Sequence, residues 1–185
     1  MGEIDDAIER ADREAFTRQP PKTLQARINF LMKQLKTTKA VAAELGVSQR
    51  SVERYRKGER KHPPKAIADR IDDAVRQRWQ PQVRKRRQKQ AATTRGITVE
   101  TRARFGYTAP IGTTDDGRFR RLTVHLPPAY AQRLFDARNT GASDQQMRQI
   151  IAEGLKEIYF QDNGSRALGL SDVTLNDIDY LDLDY

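Results

Sequence analysis

Residues 37–61, TTKAVAAELGVSQRSVERYRKGERK, constrain this chain more than any other stretch. They read as two short helices joined by a tight turn. Thr38 is placed as the N-cap of the first helix, over Lys39 to Leu45. Gly46 supplies the turn, because glycine takes a positive φ at no steric cost. Ser48 caps a second helix over Gln49 to Lys57, and Gly58 stands where a helix C-terminus stops. Ala42, Val47, Val52 and Tyr55 point inward, with Ala42 small so that the two helices cross closely. Gln49, Arg50, Ser51, Arg54, Arg56 and Lys57 point outward. Gln49, Arg50 and Arg54 are placed to reach base edges, and Arg56, Lys57, Arg60 and Lys61 to meet phosphates. The pattern predicts a helix-turn-helix. A helical hairpin that binds only protein is the alternative, and it leaves the basic outer face without a purpose.

Charge is distributed unevenly. Residues 1–125 carry 29 Lys and Arg against 15 Asp and Glu, and residues 126–185 carry 5 against 10, within a net charge of +9. A basic body and an acidic end suggest nucleic acid for one and a protein partner for the other. The 185 residues include no cysteine, so neither a disulfide framework nor a thiolate metal site is expected. No apolar run is long enough to span a membrane, and the N-terminus has no signal-peptide core.

The reading assigns 1–79 to a helical DNA-binding domain. Ile4 to Phe16 has an apolar stripe of Ile4, Ile8, Ala11 and Ala15. Thr23 to Lys36 carries Leu24, Ile28, Leu31 and Leu35, which pack behind the helix-turn-helix or form a dimer seam. Lys65 to Arg78 is a further helix, and Trp79 extends its Ile67, Ile71, Val75 line toward the core. Residues 80–95 hold Arg84, Lys85, Arg86, Arg87 and Lys89 with almost nothing apolar. They read as a solvated basic linker and as an arm that tracks phosphates.

Residues 96–160 are expected to form a small α+β region. Gly96 to Tyr107 alternates, with Ile97, Val99, Ala103 and Phe105 on one face. A run rich in turn residues follows, and then Arg118 to Leu126, with Leu122, Val124 and Leu126 on one face. The two strands pair as a hairpin, or the second opens a strand–helix–helix unit with Pro127 to Asn139 and Ser143 to Phe160. That order is similar to ribbon-helix-helix proteins, in which Arg121, Thr123 and His125 would read bases. Residues 161–185 end in DVTLNDIDYLDLDY, an acidic-hydrophobic tail that frays or folds on a partner. The expected class is mainly α with this small α+β part.

The chain as a whole resembles the telomere terminal proteins of linear actinobacterial chromosomes and plasmids, the Tpg family. The resemblance rests on TTKAVAAELGVSQRSVERYRKGERKHPP, on GITVETRARFGYTAPIGTTDDGRFR and on the acidic aromatic end. It implies a protein that binds telomeric DNA, duplex and 3′ overhang, and primes end patching with a hydroxyl in place of a primer's 3′-OH. It maps the attachment residue to Thr114. It implies a telomere-associated recruiting protein and a DNA polymerase as partners, the polymerase supplying Mg2+ and deoxynucleotide, and a nucleoid location at replicon ends. By sequence Thr113 offers the same hydroxyl, Thr93 and Thr94 read as exposed, and TTDDG also fits a plain polar turn. Threonine needs activation to act as a nucleophile, and Asp115 and Asp116 are its only acidic neighbours. No catalytic or metal-ligand constellation is present, which counts against a nuclease or recombinase. A transcriptional repressor that dimerises through its C-terminal half is the remaining alternative.

Overall fold

The computed structural model describes residues 2–108 and 118–185. The chain is mainly helical with a small antiparallel sheet, and it forms two compact units. One unit is residues 16–82. The other combines residues 1–15 with 83–185, so it is interrupted in sequence by the first.

The 16–82 unit contains α2 (Leu24–Leu35), α3 (Thr38–Leu45), α4 (Gln49–Lys57) and α5 (Lys65–Arg78). Thr23 caps α2 by accepting from the Ala26 amide at 3.2 Å, and Lys36 ends it in the left-handed region. Ile28, Leu31, Val41, Leu45, Val52, Tyr55, Ile71 and Val75 make one buried core. The α2 stripe therefore packs against α4 and α5, which uses the face that a dimer seam would have needed. Trp79 is half-buried, with its ring edge-on to Phe30 at 5.1 Å and its indole N–H donating to the Arg18 carbonyl at 2.9 Å.

In the other unit the sheet order is β2-β1-β3. Strands β1 (Ile97–Thr108) and β2 (Arg118–Leu126) pair antiparallel from Ile97↔Leu126 to Phe105↔Arg118, which is the hairpin arrangement. The third strand, β3 (Asp172–Asp184), pairs antiparallel with the opposite edge of β1. Helices α7 (Pro128–Asn139) and α8 (Asp144–Leu155) follow β2, and α1 (Glu3–Glu14) joins them over the apolar face. Ser143 caps α8 in a capping box with Gln146. The core holds Ile4 and Ile8 of α1, Val99 and Phe105 of β1, Leu134 of α7, Ile151 of α8 and Leu183 of β3.

Three expectations are corrected here. Residues 1–15 do not join the 16–79 helices, because their stripe is buried in the core of the C-terminal unit. Residues 80–95 are not an extended linker. Pro81–Gln90 is helix α6, and Ala91–Arg95 continues as a π-helical turn that ends at Gly96 with φ 76°. In keeping with its low hydropathy, no residue of α6 is fully buried. Low hydropathy did not argue against a helix, because Arg, Lys and Gln are good helix formers and Pro81 suits a first turn. Residues 172–184 are not a tail. Val173, Leu175, Leu181 and Leu183 are buried while Asp172, Asp182 and Asp184 are exposed, and that period of two is satisfied by β1 of the same chain.

Candidate nucleic-acid interface

The outward face of α4 is prepared by two turns. Thr37, one residue earlier than expected, caps α3 by accepting from the Ala40 amide at 3.1 Å. Gly46 is left-handed at φ 62°, and the Val47 amide donates to the Ala42 carbonyl at 3.0 Å. This closes α3 and redirects the chain. Ser48 then caps α4, accepting from the Ser51 amide at 3.2 Å. Such caps are each worth about 1 kcal/mol. Val52 and Tyr55 are fully buried against α2 and α3, so the rotation of α4 about its axis is fixed.

With that side inward, Arg50, Glu53, Arg54 and Lys57 stand on the opposite side and, with Glu59, line one shallow depression. All four are exposed. Arg54 makes a loose ion pair with Glu59 at 3.8 Å. The other expected contact residues fall around this stripe. Gln49 is exposed at the first position of α4. The Ser51 hydroxyl lies 3.0 Å from that of Ser48, so it serves the cap rather than an open face. Arg56 and Lys61 are exposed, and the Arg56 carbonyl accepts from the Gln25 side-chain amide at 2.9 Å. The Arg60 guanidinium lies over the Tyr55 ring, 5.7 Å from its centroid. Glu53 escaped the sequence reading, although its place three residues after Arg50 and four before Lys57 was the available signal.

On α6, Lys85, Arg86 and Lys89 are exposed while Arg84 and Arg87 are half-buried. Arg87 is partly committed to the C-terminal strand, 3.5 Å from Asp184 and over the Tyr185 ring. The exposed cations of this helix are therefore Lys85, Arg86 and Lys89.

The open face of the sheet is more self-contained. Arg121 donates to Glu100 at 2.7 Å, and this bond with that of Tyr180 holds the Glu100 carboxyl below its usual range. Arg102 pairs with Asp179 at 2.7 Å, and His125 Nδ1 lies 3.1 Å from the Thr98 hydroxyl. Two of the three residues proposed to read bases from β2, Arg121 and His125, are thus engaged by β1. The Thr93 and Thr94 hydroxyls donate back to the Lys89 and Gln90 carbonyls at 2.8 and 3.0 Å. Thr113, Thr114, Asp115 and Asp116 lie outside the described residues. Among the described residues no group of three or more His, Asp or Glu is placed to hold a metal ion, and no helix is long and apolar enough to cross a membrane.

Comparison with models of protein families, with curated proteins and with solved structures gives no match.

Proposed function

We propose that the chain is a DNA-binding protein that reads duplex through a helix-turn-helix formed by α3 and α4. The observation that carries this reading is the exposed stripe of Arg50, Arg54 and Lys57 on a helix whose rotation is fixed by buried Val52 and Tyr55. A helix of this kind fits the major groove, with its N-terminal residues at base edges and its later cations near phosphates. Lys85, Arg86 and Lys89 on α6 add attraction that does not depend on sequence.

Within that class, the resemblance to telomere terminal proteins supports a protein primer for the 3′ overhang of linear replicons, joined to the 5′ end through Thr114. In this chemistry the Thr114 hydroxyl oxygen attacks the α-phosphorus of a deoxynucleoside triphosphate. A phosphoester bond forms, pyrophosphate leaves, and the proton passes to a base on the polymerase. The polymerase holds the Mg2+ and the nucleotide, and a telomere-associated protein delivers the chain to the overhang.

The test is incubation of the protein with a DNA polymerase, the recruiting protein, a telomeric overhang and labelled deoxynucleotide, followed by denaturing separation. Label is expected to stay on the wild-type chain and to be lost in Thr114→Ala, with duplex affinity unchanged. Label retained in full by Thr114→Ala would move the attachment to another hydroxyl, Thr113 first. No label at all, with sequence-specific duplex binding intact, would leave a repressor-type protein as the better account.

A further inference from the structure

The outward stripe of α4 places one carboxylate among three cations. Arg50, Glu53, Arg54 and Lys57 line the same depression at spacings of three and four residues. Glu53 is exposed, and no ion pair joins it to these neighbours, although a Glu four residues before a Lys is a favourable helical pair. Arg54 turns to Glu59 instead. A surface that only tracks phosphates gains nothing from a carboxylate at its centre, since like charges at a few ångströms repel. A carboxylate becomes useful where the helix meets base edges, because it accepts from the exocyclic amino group of cytosine in the major groove. The same group is repelled by the carbonyl edges of guanine and thymine.

We infer that Glu53 is a specificity-determining residue of α4, selecting a cytosine in the duplex site by accepting a hydrogen bond from its N4 amino group. Arg50, Arg54 and Lys57 supply the attraction, and Glu53 makes that attraction conditional on the base. The inference rests on the reading of α4 as a groove-entering helix. It adds a base identity to that reading.

The experiment is selection of binding sites from a randomised duplex library by the full chain, run in parallel for wild type, Glu53→Gln and Glu53→Ala. The wild type is expected to enrich sites with a fixed cytosine at one position, where any other base weakens binding about tenfold or more. Glu53→Gln is expected to lose cytosine at that position alone, shifting toward adenine, and Glu53→Ala to accept any base there. Both variants should bind random duplex at least as tightly as wild type, which also shows that they fold. Identical enriched sites for all three proteins would overturn the role of Glu53 and leave duplex reading by α4 intact. No enrichment by the wild type would overturn the reading of α4 and this role together.

Discussion

Asp12 is a fully buried acid on α1, and three side chains converge on it. The Tyr185 hydroxyl donates to it at 2.7 Å, Gln88 Nε2 lies at 3.2 Å, and an Arg138 guanidinium nitrogen stands 3.6 Å away. Burial, reinforced by the negative charge of Asp12, pushes the Tyr185 phenol far above its usual range. The sign follows from which form the fold prefers. The neutral phenol is bound, so its contribution is fully present below an unfolded value near 10 and is lost as pH rises beyond it. Urea titration is therefore expected to show the stability of this unit falling above about pH 10, with a shallower fall in Tyr185→Phe. At neutral pH the same substitution leaves a buried carboxylate short of a donor, and about 1–3 kcal/mol of lost stability is expected in the same titration. Gly46 offers a second residue-scale test. Its φ of 62° would strain any other residue, and an added Cβ would meet the flexible end of Arg70 at 2.5 Å. Gly46→Ala should lower the stability of the 16–82 unit by about 1–2 kcal/mol, read from its thermal midpoint.

Among the elements, those with a self-consistent local pattern were the most legible. The run Lys65–Arg78 was read with the same bounds as α5, because His62-Pro63-Pro64 breaks the chain before it and its apolar residues recur four apart. Strands β1 and β2 are legible from period two, and the apolar residues expected on one face are buried, with Thr101 buried among them beyond that expectation. The last strand was not read, although its alternation was visible. Five aspartates in thirteen residues (Asp172, Asp177, Asp179, Asp182 and Asp184) suppress hydropathy, and nothing local says that residues 172–184 return to pair with β1. Helix α6 is illegible for a related reason, since a segment without an apolar face gives no periodic signal even when its residues favour a helix. On α4 the stripe was partly legible. The inward Val52 and Tyr55 are legible from spacing, whereas Ser51 reads as outward and is drawn into the cap by the Ser48 hydroxyl 3.0 Å away. The element-scale prediction is that Arg50→Ala combined with Arg54→Ala weakens duplex binding tenfold or more, with its salt dependence reduced, while the circular dichroism of the helices is retained. Unchanged affinity by fluorescence anisotropy would remove α4 from the interface.

At the scale of the whole molecule, the division into units follows spatial packing rather than sequence order. Deleting residues 2–15, or replacing Ile8 by Asp in the core beneath the sheet, is expected to destabilise the C-terminal unit by several kcal/mol. The 16–82 unit, with its own core, should keep its duplex affinity. Hydrogen exchange would separate the two responses, and equal loss of protection in both units would contradict the division. This organisation was illegible because an amphipathic helix announces that it needs a partner without saying which one. It also sets a timetable for synthesis. Asp12 and Tyr185 are 173 residues apart in the chain. A ribosome adding about 5–20 residues per second leaves α1 waiting on the order of 10–30 s for β3. Throughout that interval Ile4, Ile8 and Ala11 have no finished core to enter, while residues 16–82 can already complete theirs. The nascent chain thus holds its α4 surface ready before its sheet is whole, with an unpartnered amphipathic helix N-terminal to it.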